Sequence, residues 1–161
     1  YVPMGKPRLM VAFASGHFDD WVRSDKYDMT ILPFHTSIFK NPTTQFLDKN
    51  GLSIIISSPE QAFLECLHLV PDYYNYMDLY YIMEQLTSLD SDNVQTALEN
   101  TSSQRVKRMF LYMAEKAGHY WFDMLDMDKF GLTTSKLQLV DNGVYISKYR
   151  ITVPKELNVY E

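Results

Sequence analysis

The sequence holds a single cysteine, Cys66, among 161 residues. No internal disulfide can form, and a reducing compartment suits the chain. Cys66 lies in the apolar stretch Phe63 to Val70, the setting of a buried, inert thiol rather than of a nucleophile. Metal chemistry is equally short of material. His17, His35, His68 and His119 are scattered, and Cys66-x-His68 has no second pair at ligand spacing. No apolar run approaches the roughly 20 residues of a membrane-spanning helix.

Basic charge is in deficit. Fifteen Lys and Arg face 20 Asp and Glu, a net charge of -5. Neither half is basic: 6 cations oppose 9 anions up to residue 80, and 9 oppose 11 beyond it. Cations on phosphates supply most non-specific nucleic-acid affinity, so the overall field opposes direct DNA or RNA binding. The chain lacks a G-x-x-x-x-G-K-[ST] phosphate loop and a G-x-S-x-G nucleophile elbow. It also lacks the Gly-Ser and paired-aspartate pattern of nucleotidyltransferases. Tyr1 opens the sequence and no charged-then-apolar leader follows it, so no export signal is expected, and the start suggests a processed or truncated product.

What is present is globular: 46% hydrophobic and 22% charged residues, enough to bury a core without disulfides or metals. Up to residue 56, short β-prone runs alternate with turns: Leu9 to Phe13, Met29 to Phe34 and Leu52 to Ile56. Lys49-Asn50-Gly51 is a turn signal before the last of these, and Pro3, Pro7, Pro33 and Pro42 preclude long helices.

Helical periodicity follows. Ser58 is the expected cap of a first helix, with Pro59 at its first position and Gln61 closing a capping box. That helix should end before Pro71. A second helix is predicted from about Asn75 to Leu86, and a third after the cap Asp90 to near Asn100. In a fourth, capped by Ser102 or Ser103, Val106, Met109, Phe110, Met113, Ala114 and Ala117 recur at core spacing. Gly118 stops it. After an aromatic turn at 119–122, strands are expected at Lys136 to Val140, Val144 to Ile146 and Tyr149 to Val153, with Asp141-Asn142-Gly143 as a turn. The expected fold is α+β: a β-rich N-terminal subdomain (1–56), then a mainly helical domain (57–161) with a four-helix centre and short terminal β strands.

Candidate functional residues are few. Asp123, Asp126 and Asp128 lack the spacing and closing Glu of a calcium loop and read as a solvated acidic turn. Asp19-Asp20 after Ser15-Gly16-His17 reads as a surface turn. On the fourth helix, Arg105, Arg108, Tyr112 and Lys116 share one stripe beside the apolar face, with Lys107 on another flank. Such a stripe either grips an anionic partner or is a solvated face, Lys116 complementing the helix C-terminus and Tyr112 snorkelling. Charge reversal at Lys107 and Arg108 should abolish function while leaving thermal unfolding nearly unchanged; if function persists, the stripe is only a solvated face. Among Tyr73, Tyr74, Tyr76, Tyr80 and Tyr81, core packing should take about half. Tyr73, Tyr74 and Tyr81 are the candidates for an interface.

Several segments, read in order, resemble the C-terminal region of AbiEi-like antitoxins of type IV toxin–antitoxin systems. The first is Ile56-Ser57-Ser58-Pro59-Glu60-Gln61-Ala62-Phe63-Leu64-Glu65, followed by Leu67-His68-Leu69-Val70-Pro71 and Leu86-Thr87-Ser88-Leu89. Val106-Lys107-Arg108-Met109-Phe110-Leu111-Tyr112-Met113-Ala114-Glu115, Trp121-Phe122 and Lys148-Tyr149-Arg150-Ile151-Thr152-Val153-Pro154 complete the series. Order and spacing match over about residues 52–157, and Met29 to Ser37 is similar to the preceding β segment.

The resemblance implies a bacterial, cytoplasmic, non-enzymatic protein without cofactor or metal, active in abortive infection. It implies antagonism of a nucleotidyltransferase-like toxin without a stable complex, and autorepression through operator DNA held by an N-terminal winged-helix domain. Residues 1–56 are too few and too β-rich for that domain, so the chain resembles the antitoxin half. Relatives often carry a Gly- and Lys-rich basic stretch where this chain has Gly131-Leu132-Thr133-Thr134-Ser135-Lys136-Leu137, with Lys136 alone basic. The helix stripe does match, so Lys107 and Arg108 are the positions carried over. Two other classes remain open. One is a protein-interaction or homo-oligomerisation module using the tyrosine cluster. The other is an enzyme acting on phosphorylated or nucleotide-modified targets, with His17, Asp19 and Asp20 as first suspects.

Overall fold

The computed structural model describes residues 9–18, 30–49 and 51–160. Asp19 and Asp20 lie outside them. Among the described residues, the N-terminal lobe holds two separate two-stranded sheets. β1 (Leu9–Ala14) pairs in parallel with β2 (Thr30–His35). β3 (Thr44–Lys49) pairs antiparallel with β4 (Leu52–Ser57), Lys49 facing Leu52 across a two-residue connection. Gly51 sits there at φ 77°, a conformation that glycine adopts without steric penalty. Strand β3 is not legible in the sequence, because adjacent Phe46 and Leu47 give Thr44–Lys49 no alternation.

Four helices follow: α1 (Pro59–His68), α2 (Tyr76–Gln85), α3 (Ser91–Glu99) and α4 (Gln104–Ala117). Their caps are those the sequence offers. Ser58, Asn75, Asp90 and Ser103 each accept a bond from the backbone N–H three residues on. Gly118 closes α4 in the left-handed region, at φ 70°. The expected capping box on α1 does not close. The Ser58 N–H already donates to the Thr43 carbonyl at 3.0 Å, so the Gln61 side chain turns to Glu65 instead, at 3.1 Å.

Helix α4 is the axis of the core. It packs against α1 and α2, and Val106, Met109, Phe110, Leu111, Met113 and Ala114 are all fully buried. Two 3-10 turns, Tyr120–Met124 and Met127–Phe130, lead away from it. The first inserts Trp121, whose indole N–H donates to the Leu86 carbonyl at 3.0 Å. Next come β5 (Leu137–Gln138), β6 (Val144–Ile146) and β7 (Ile151–Val153) in the order β5-β7-β6. They are shorter than expected at β5 and β7. A further short helix, α5 (Lys155–Val159), has no periodicity long enough to read from sequence. The class is α+β. No helix among the described residues is long and apolar enough to cross a membrane.

The N-terminal lobe touches the core at few places. Phe39 forms an isolated β-bridge with Thr101, the Ser102 N–H donates to the Ile38 carbonyl at 2.8 Å, and the rings of Phe13 and Phe39 pack on His68.

Candidate functional site

The basic residues of α4 face main-chain oxygens. The Arg108 side chain is 1% exposed. It donates to the Thr133 carbonyl and hydroxyl at 2.5 Å each, to the Ser135 carbonyl at 2.7 Å and to Gln104 Oε1 at 3.2 Å. Lys107, 6% exposed, donates to the Phe130 carbonyl at 2.7 Å, and desolvation holds its ammonium pKa below the usual value. Arg105 spans the end of α1, bonding the Val70 and His68 carbonyls at 2.6 and 3.0 Å. Lys116 reaches the Tyr160 carbonyl at 2.5 Å. Tyr112 is buried.

The expected solvated face is therefore corrected. The segment from Phe130 to Tyr160 lies over the polar side of α4, and amphipathic periodicity does not distinguish a polar face turned to water from one turned to backbone carbonyls. Glu115 adds to the same seam, accepting from the Tyr149 hydroxyl at 2.9 Å and pairing with Lys148. Burial and the Glu115 carboxylate together push the Tyr149 phenol pKa far up.

The tyrosines divide. Tyr76 and Tyr80 are buried, whereas Tyr73 and Tyr81 are 49% and 44% exposed. Tyr73 stacks edge-on against Phe34 of β2, and Tyr81 against Tyr160 beyond α5. Tyr74 is half-buried with its hydroxyl beside Cys66. The Cys66 thiol pKa is pushed up to about 11, chiefly by burial, which leaves little thiolate at neutral pH. His17 is exposed. No cluster of three or more His, Cys, Asp or Glu among the described residues could hold a metal ion. Asp126 instead caps the second 3-10 turn and pairs with Lys129 at 3.5 Å.

Two cavities stand out. One, of about 340 Å³, is bounded by Val70, Tyr76, Arg105, Val140 and Glu156. The other, of about 800 Å³, opens between β1, β4 and α1 and has Glu65 in its wall. Glu65 as a residue is 9% exposed. It accepts from Ser57 Oγ at 3.0 Å on both oxygens and from Gln61 Nε2 at 3.1 Å. Burial raises its pKa, partly offset by these two donors. Sequence reasoning did not single out this group. Its signal was present: Ser57, Gln61 and Glu65 recur every four residues within the segment that carries the resemblance.

No curated protein and no solved structure matches the chain. A family model described as transcriptional regulator, AbiEi antitoxin, type IV TA system matches residues 9–154. That span runs from β1 through the helical core to the end of the C-terminal sheet. The chain belongs to the AbiEi antitoxin family of transcriptional regulators of type IV toxin–antitoxin systems.

Proposed function

We propose that these residues form the effector part of the antitoxin, counteracting a nucleotidyltransferase-like toxin in the bacterial cytoplasm without catalysis of their own. The family match across both the β lobe and the helical core carries this reading. The toxin is antagonised without a stable complex, and autorepression rests on operator DNA held by a winged-helix domain outside the described residues. The inward-turned cations of α4 support that division. Lys107 and Arg108 are buried, and a phosphate backbone needs cations at the surface. Arg105, Lys107, Arg108 and Lys116 serve neutralisation through the fold they hold. A second reading, self-association through Tyr73, Tyr74 and Tyr81, is favoured by the exposure of Tyr73 and Tyr81.

The test is growth of cells expressing the neighbouring toxin gene, with this segment supplied from a second promoter. Rescue is the expected outcome. Failure by a well-expressed, folded segment overturns the assignment of antitoxicity to these residues. Sedimentation across a concentration range addresses the second reading, which a monomer at high concentration contradicts.

A further inference from the structure

The 800 Å³ cleft is walled by strand edges. Met10 to Gly16 line it one after another, as do Ile55, Ile56 and Ser57. Successive side chains of a strand point to opposite faces, so consecutive residues share a wall where the cleft meets the edge of the strand. The pairing agrees. Among the described residues, β1 has only β2 as a strand partner and β4 has only β3, which leaves one edge of each open toward the gap.

Among the described residues, Glu65 is the only ionisable one lining this cleft. Its partners, Ser57 and Gln61, are both neutral, and no Lys, Arg or His among the described residues forms an ion pair with it. One serine proton is shared between the two oxygens, so acceptor capacity remains on a carboxylate that can take about four hydrogen bonds. A buried charge without a counterion is costly. The rest of the wall, including Val11, Phe13, Phe39 and Ile56, is mostly apolar and suits an aliphatic stem.

We propose that this cleft binds an extended peptide segment of a protein partner, its backbone adding to an open strand edge and one Lys or Arg side chain seating its cation on Glu65. The mode is strand addition, with main-chain bonds giving affinity and one pocket giving specificity. Charge complementarity fixes the kind of occupant: a lone carboxylate repels phosphates and acidic peptides and rewards a cation.

The experiment measures fluorescence anisotropy of the whole chain with a fluorescein-labelled peptide, Gly-Val-Thr-Arg-Val-Thr, and with the same peptide carrying citrulline in place of Arg. The Arg peptide is expected to bind about tenfold tighter or more, the scale of one charge-assisted hydrogen bond. Glu65→Gln should bring the two peptides to similar affinity. Should Glu65→Gln disturb folding, Ile55→Arg decides, because residue 55 lines the cleft and is 66% exposed. It should weaken the Arg peptide by a similar factor while the melting temperature holds. Equal affinity for both peptides overturns the proposal, as does binding of neither up to roughly 1 mM. So does a dimer in sedimentation that Ile55→Arg returns to monomer, since that places a second copy in the cleft.

Discussion

The two lobes solve the burial problem differently. In the helical core, Leu64, Leu79, Met83, Val94, Leu98, Phe110, Trp121 and Ile151 have no accessible surface, and the polar face of α4 is roofed by the C-terminal segment. In the β lobe, Phe46 and Ile55 are 72% and 66% exposed, and Leu47 and Ile54 on the opposite face of the hairpin are 42% and 46% exposed. A two-stranded sheet is marginal by itself in water. The core buries its apolar side chains, while the β lobe leaves strand edges and apolar surface exposed among the described residues. On the binding proposed for the cleft, scaffolding falls to the helices and recognition to the cleft.

The comparison breaks most readily in the core. Phe110→Ala, where the ring packs between Phe63 and Trp121, should cost about 3–5 kcal/mol in urea unfolding. Arg108→Ala should cost about 2–5 kcal/mol, because the Thr133 and Ser135 carbonyls lose the guanidinium that satisfies them. Charge reversal at Lys107 and Arg108 should prevent folding, contrary to what a solvated stripe implies. Lys107→Met should cost only about 1 kcal/mol by the same assay. It loses the bond to Phe130 but also removes a desolvated charge.

Glu65 marks the boundary between the lobes and should show it in pH dependence. Its pKa is raised in the folded state, so the native protein holds that proton to higher pH than the unfolded chain does. Its contribution to stability is complete below the ordinary carboxylate pKa and falls as pH rises through the raised folded value. The neighbouring Ser57 and Gln61 do not titrate there, and Cys66 titrates near 11. Glu65→Gln should therefore gain stability relative to the native chain across that window, read from chemical unfolding at a series of pH values. An unchanged difference at all pH values would contradict the buried, unpaired carboxylate. At the small end, Phe46→Ser on the exposed hairpin should change stability by less than about 0.5 kcal/mol.

Much of this was legible in the residues. Ser58-Pro59, Asp90, Ser103 and Gly118 each carry a local signal that survives into the structure, because capping is decided within a few residues. The family was legible from the ordered segments between Ile56 and Pro154. The fate of the α4 cations was not: helical periodicity places Arg108 on a polar stripe, and only the distant Thr133 to Ser135 loop turns that stripe inward. Glu65 escaped for a similar reason. Its cleft is made by β1, more than 50 residues away in the chain, and Met10 to Gly16 give no local sign of what they face.

The most direct measurement pairs growth rescue with thermal midpoint for Arg105→Met, Lys107→Met, Arg108→Met and Lys116→Met. If the cations act through the fold they hold, rescue follows the folded fraction of each variant, with Arg108→Met lowest in both. A variant that melts like the native chain yet fails to rescue would contradict this and restore the stripe as a surface that touches a partner.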